Sequence, residues 1–219
     1  MGRTFAKKGR VCTQARECDR INLRNFGRKI AVLVEPRLSP NCHGWRKGHS
    51  VATAVSDIES RVGSRVVCDI RHYFPSVDQA RLRKMVNKLD ATLWSEIAPW
   101  LPETGLPTGC AISSPLANLY LSDIDRRFPI VRYADNFLVT ADETEPVLRK
   151  LQRHLEDIGL EMHEVEVNPT RFCGTLLSPS RDISSTSSSV GIAPIERVAA
   201  PHLRKQLLDV GPMTHEVEL

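Results

Sequence analysis

The sequence predicts an α+β chain whose antiparallel sheet is covered by helices on one face. Three observations carry that expectation. An apolar run, Val66-Val67-Cys68, ends in an aspartate between two segments of helical period. Phe128–Thr140 holds two short apolar runs, Ile130-Val131 and Phe137-Leu138-Val139, split by the polar Arg132-Tyr133-Ala134-Asp135-Asn136 in the manner of a hairpin. Glu145–Ile158 carries Val147, Leu148, Leu151, Leu155 and Ile158 as one helix face and stops at Gly159.

Taken in order, residues 1–29 show no sustained apolar period and read as a basic extension, ordered in part by a partner. Ile30–Val34 is expected to be a strand stopped by Pro36, and Ser39–Gly48 a turn region. Val51, Val55, Ile58 and Val62 predict a helix over Ser50–Val62, followed at once by a strand at Arg65–Ile70. Leu82–Leu101 keeps roughly the helical period and reads as one or two helices. Gly105–Gly109 is a loop, and Ser113–Ile124 a helix with Pro115 tolerated in its first turn. Short strands are expected at Glu164–Val167 and Arg171–Leu177. A serine-rich linker then covers 178–189, and the remaining residues suffice for one short helix around His202–Leu208.

At 41% hydrophobic and 26% charged over 219 residues, the composition suits one sizeable core and excludes fibrous, collagen-like and wholly disordered classes. The longest aliphatic run, Ile30–Val34, is far below the ~20 residues of a bilayer span, and no apolar stretch with a cleavage site follows the N-terminus. An intracellular, soluble protein without a membrane partner is expected. Residues 1–50 carry twelve Lys and Arg against three acids, a net +9, whereas the other 169 residues are net −5. That asymmetry fits attraction of a polyanion, nucleic acid foremost, or else a solvated basic tail. Six scattered cysteines without a C-x-x-C pair read as reduced thiols. Cys12, Cys18, Cys42 and His43 can be assembled into a zinc site on paper, but their spacing fits no zinc motif.

Asp69 ends an apolar strand and Asp135 occupies the middle of a hairpin. If the two strands are neighbours their carboxylates converge, and convergent hard oxygens suit Mg²⁺ completed by substrate phosphates. Each also has a structural alternative, Asp69 as a strand-end cap and Asp135 as a turn residue.

The surrounding blocks resemble a known family. Cys68-Asp69-Ile70-Arg71-His72-Tyr73-Phe74-Pro75-Ser76-Val77-Asp78 resembles the first palm motif of bacterial reverse transcriptases of the group II intron and retron kind. Gly105-Leu106-Pro107-Thr108-Gly109 with Ser113–Leu121 resembles the second, and Arg132-Tyr133-Ala134-Asp135-Asn136-Phe137 the third. Gly159-Leu160 and Arg171-Phe172-Cys173-Gly174 resemble the blocks that close the palm, and His43–Ser50 is similar to a finger-region block. The resemblance covers roughly residues 30–177 in the family's order. It implies a polymerase palm over 65–177, partial fingers over 30–64, and, after the linker, a thumb remnant over 190–219. The thumb is then largely missing.

It further implies that Asp69, the Ile70 carbonyl and Asp135 hold Mg²⁺ or Mn²⁺, with Asn136 completing the catalytic set. Ile70, Phe74, Pro107, Thr108 and Gly109 would line the nucleotide site, Phe74 as a steric gate against a ribose 2′-hydroxyl or, in the structural alternative, as core packing. Arg28, Lys29, Arg37, Arg46 and Lys47 are the candidates for phosphate contacts. Asn136 stands where the family usually carries a second aspartate, Thr108 replaces a more frequent glutamine, and Glu166 lies near the place of a lysine often found in the fourth motif. His163 is either a substitute for that lysine or a surface histidine. The implied function is RNA-directed DNA polymerase activity on an RNA template and primer with dNTPs, in a cytoplasm of bacterial type. The alternative is a catalytically weakened RNA-binding subunit, maturase-like or part of an antiviral-defence complex. In either case the missing thumb points to a structured noncoding RNA, a partner protein or a truncated gene.

Overall fold

A computed structural model describes residues 3–7, 10–14 and 17–179. Most of the serine-rich linker expected at 178–189 and the helix expected at His202–Leu208 lie outside the described residues. The chain begins with an antiparallel pair, β1 (Arg3–Lys7) and β2 (Arg10–Gln14), and continues into an eighteen-residue helix, α1 (Glu17–Val34). This corrects two expectations: 1–29 holds regular structure, and Ile30–Val34 is the last part of a helix. Only Ile30 and Val34 of the aliphatic run are fully buried, whereas Val32 is exposed. With Leu23 and the half-buried Phe26 they recur at steps of three and four, the helical interval.

Helix α2 (Val51–Ser60) starts where expected because Ser50 and Thr53 form a reciprocal capping box. Strand β3 (Ser64–Arg71) leads to the short α3 (Tyr73–Ser76). The next periodic run divides into α4 (Gln79–Asn87) and α5 (Leu93–Ile97), because Asp90 turns back to accept from the Thr92 N–H and hydroxyl at 2.9 and 2.8 Å. Helix α6 (Ser113–Leu121) is buried over nearly its whole circumference, and α7 (Ile124–Arg127) follows as a separate turn. Strands β4 (Ile130–Tyr133) and β5 (Asn136–Ala141), α8 (Thr144–Asp157) and the short β6 (Glu161–Met162), β7 (Glu166–Val167), β8 (Arg171–Phe172) and β9 (Thr175–Leu176) complete the order.

The main sheet runs β4, β5, β3, with β6 and β7 sharing the far side of β3, and every pairing is antiparallel. Between β6 and β7 the register on β3 shifts by one residue, so three residues, 163–165, oppose Cys68 and Asp69 as a bulge. Cys68 and Ile70 point into the main core beneath the helices, and Val66 is buried on the same side of the strand. Arg65, Val67 and Asp69 alternate to the other face. Helices on one face alone would leave this side free, but Ala54 and Ile58 of α2, with Phe172, cover Val131 and Leu138 there. Beyond that cover lies the end that carries the half-buried Asp69. Among the described residues no helix is long and apolar enough to cross a membrane.

His154 of α8 packs against Phe128, ring centroids 5.9 Å apart, and its Nε2 is buried without a hydrogen-bond partner. Burial, then the positive Arg127 and Arg81, push its pKa below 6.5, against the weaker pull of Asp157 and Asp123. The unfolded chain therefore binds this proton more readily. Stability contributed at neutral pH is expected to fall as pH drops below about 6.5 and to level off under the folded pKa. His154→Phe should flatten the midpoint-against-pH curve between about pH 5 and 7; an unchanged slope would exclude His154 as its source.

Candidate functional site

The site is built at the end of β3 and the β4–β5 turn. Asp69 pairs across the sheet with Asn136, and the Ile70 N–H donates to the Asp135 carbonyl at 3.2 Å. The turn itself has only two residues, because Tyr133 pairs with Asn136. Ala134 has φ +60° whereas Asp135 does not lie in that region, the pattern of a hairpin turn whose first position usually takes glycine. The five-residue segment expected between the strands is therefore divided: Arg132 and Tyr133 belong to β4, Asn136 to β5, and Arg132 is fully buried.

Chemically, Asp69 stands out. Its Oδ1 is buried and has no hydrogen-bond partner, an arrangement expensive for a carboxylate unless a cation completes it. The Asp69 carbonyl accepts from the His163 N–H at 2.8 Å in the bulge, while Glu164 and Glu166 are exposed. The Asn136 amide donates to Asp135 Oδ1 at 3.2 Å. Two thiols flank the acids. Burial, reinforced by Asp69, pushes Cys68 up to about 12, and burial, reinforced by Asp135, does the same to Cys173. Without a metal both are thiols at neutral pH, and soft sulfur is a poor match for a hard divalent cation. Among the described residues no group of three His, Cys, Asp or Glu side chains could hold a metal. The available donors are two carboxylates, an amide oxygen and backbone carbonyls, and the orphaned Asp69 oxygen makes that set fit a hard divalent cation.

Beside the acids, His72 adopts a left-handed conformation that turns the chain from β3 into α3. Phe74 is half-buried, its ring 5.6 Å from Trp45 and 5.8 Å from Tyr73. The 105–109 loop is stitched to this segment: Leu106 N–H donates to the Phe74 carbonyl at 2.7 Å and Gly105 N–H to that of Val77 at 3.1 Å. Gly105 is at φ +72°, and a Cβ there would lie 2.6 Å from the Phe74 carbonyl oxygen, so only glycine fits. Pro107 is buried with its carbonyl bonded to Ser113, Thr108 is half-buried and Gly109 exposed. Phe74 and the loop thus form one wall.

Gly44 abuts the hairpin itself, with the Ala134 and Tyr133 backbone against its Cα, while the Trp45 ring packs on Phe74. Asn41–His43 lies along β4, with Arg132 N–H donating to the Asn41 carbonyl and His43 N–H to that of Arg132, each at 2.8 Å. Cys42 and His43 are both committed inside, Cys42 to Asn118 and Arg132, and His43 to Thr53 and Asp57. Cys12 and Cys18 lie where side chains are not described.

The five basic candidates differ. Arg28 is exposed on α1 in line with exposed Arg20 and Arg24, and Arg37 and Lys47 are also exposed. Lys29 pairs with Glu96 and Asp90 at 3.2 and 3.4 Å. Arg46 binds Glu35 at 2.6 Å and the carbonyls of Ser39 and Cys42, which makes it a brace of its own loop. Sequence reasoning missed Trp45, Cys173 and the buried role of Arg132; for Arg132 the only signal was a basic residue at a position whose neighbours in the strand are buried.

No curated protein matches the chain. The family described as reverse transcriptase (RNA-dependent DNA polymerase) matches residues 7–175. That span takes in β3 with Asp69, the 105–109 loop and the β4–β5 hairpin with Asp135, and the chain belongs to the reverse transcriptase family.

Proposed function

We propose that this chain extends a primer with deoxynucleotides on an RNA template, as a reverse transcriptase of the bacterial group II intron and retron branch. The observation that carries the reading is the buried, unpartnered Asp69 Oδ1 beside the strained turn that bears Asp135. Asp69 and Asp135, with the Ile70 carbonyl and the Asn136 amide oxygen, are the residues that would hold Mg²⁺ or Mn²⁺. When bound, such ions supply activation of the primer hydroxyl and neutralisation of the departing pyrophosphate. Phe74, backed by Trp45 and Tyr73, presents an aromatic wall to the sugar. The half-buried Thr108 and exposed Gly109 offer backbone room for the incoming nucleotide and template. Arg28, Arg37 and Lys47 are the exposed cations suited to phosphate contacts.

The test is primer extension by the purified chain with Mg²⁺ or Mn²⁺, a primed RNA and labelled nucleotides. Absence of incorporation overturns the polymerase reading. Phe74→Ala is expected to reduce preference for deoxynucleotides over ribonucleotides by about tenfold or more, the effect of losing one steric clash of ~1–3 kcal/mol; unchanged sugar choice would return Phe74 to core packing.

Asn136 favours a second reading. An amide brings no negative charge to the site, and its hydrogen bond engages the Asp135 carboxylate. In that reading the chain is an RNA-binding subunit of a maturase or defence complex, dependent on a structured RNA or a partner for thumb function. It requires salt-sensitive RNA binding that survives Asp69→Ala and is lost on neutralising Arg20, Arg24 and Arg28.

A further inference from the structure

Arg132 has five N–H donors in a fixed planar fork, and the fold supplies an acceptor for each. Its Nε and Nη2 bind the two oxygens of Asp125, both at 2.7 Å; Nη2 also reaches Cys42 Sγ at 3.0 Å. Its Nη1 reaches Asn118 Oδ1 at 3.0 Å and the Ala134 carbonyl at 2.9 Å. Arg132 and Asp125 are both fully enclosed.

The contact with Ala134 differs from the rest. Ala134 sits at φ +60° immediately before Asp135, and a peptide group moves as one plane. Fixing the Ala134 carbonyl therefore fixes the N–H side of Asp135. The plane on its other side is held by the Ile70 N–H on the Asp135 carbonyl. Both peptide planes flanking the Asp135 Cα are thus anchored, one by backbone and one by the Arg132 side chain.

We propose that Arg132 is a positioning residue that sets the direction in which the Asp135 carboxylate meets Asp69. This rests on the metal-holding reading of the two acids given above. A lysine would keep a positive charge opposite Asp125 but lacks the planar fork that reaches the carboxylate and the Ala134 carbonyl together. The double change Asp125→Leu with Arg132→Met replaces the buried pair by apolar volume, which cores tolerate, and leaves the Ala134 carbonyl without this donor.

The experiment measures Mn²⁺ binding by electron paramagnetic resonance of the free ion, for the parent, Asp69→Asn, Arg132→Lys and the double variant. Circular dichroism and thermal midpoints establish folding, and the double variant decides if Arg132→Lys does not fold. In a folded variant the Mn²⁺ dissociation constant is expected to rise about tenfold or more, the usual effect of losing an outer partner of a metal ligand. A purely structural role would lower the midpoint with affinity unchanged. A folded variant that binds Mn²⁺ within about twofold of the parent overturns the proposal. Parent binding that Asp69→Asn does not weaken overturns the metal reading itself, and this inference with it.

Discussion

Asp69→Ala is expected to abolish nucleotide incorporation while leaving the protein at least as heat-resistant as the parent. The two effects have one cause. Asp69 Oδ1 is buried with no donor, and an unsatisfied buried polar atom destabilises by about 1–3 kcal/mol. Removing the carboxylate relieves that cost. In the proposed metal-holding role the same change deletes a donor to a divalent ion, whose charge stabilisation is worth several kcal/mol in the transition state, so the rate should fall by about a thousandfold or more. Primer extension and thermal unfolding on the same preparation check both halves. A variant that melts well below the parent would mark Asp69 as a structural cap, and one that polymerises within about tenfold of it would remove the acid from the chemistry.

Gly44→Ala is expected to damage the site through the hairpin. A Cβ at Gly44 would lie 2.2 Å from the Ala134 nitrogen, 3.0 Å from its Cα and 3.1 Å from the Tyr133 carbonyl carbon. All three are backbone atoms of the acid-bearing hairpin, so no side chain can swing away. The Asn118 amide, which donates to the Gly44 carbonyl at 2.8 Å, resists retreat of the segment. Overpacking of this kind costs about 1–3 kcal/mol, and whatever strain remains displaces the turn bearing Asp135. The comparison is Gly48→Ala: at φ +78° with nothing within 4 Å, it carries only the left-handed backbone penalty of about 1–2 kcal/mol. Gly44→Ala should lose incorporation as well as stability, Gly48→Ala stability alone. Equal activity losses would show that the close approach does not set the turn.

What could be read from the sequence divides along physical lines. Helix α2, β3 and the β4–β5 hairpin were readable because their signals are local: Ser50 and Thr53 cap a periodic stretch, and Val66, Cys68 and Ile70 alternate with less buried neighbours. Helix α1 was misread because five consecutive aliphatics imitate a strand, while its buried set is interleaved with Arg24, Arg28 and Lys29. Asp69 and Asp135 are singled out by ordered motifs, and the register pairs Asp69 with Asn136, the residue after Asp135. Arg132 could not be found that way. Its partners Cys42, Asn118 and Asp125 lie 90, 14 and 7 positions away, and no local pattern connects them. Lys29 and Arg46 teach the complementary lesson, since a count of cations does not reveal that Asp90, Glu96 and Glu35 already take them.

The strand-like course of Asn41–His43 along β4 has a consequence for colonial behaviour of the molecule at high concentration. It blunts one lateral rim of the sheet by occupying amide and carbonyl groups there. At the other rim, two-residue strands interrupted by a bulge and bordered by Glu161, Glu164 and Glu166 present charge in place of a flat template. Among the described residues, then, neither rim of the main sheet invites a second copy to add a strand, and fibril growth is disfavoured from both sides.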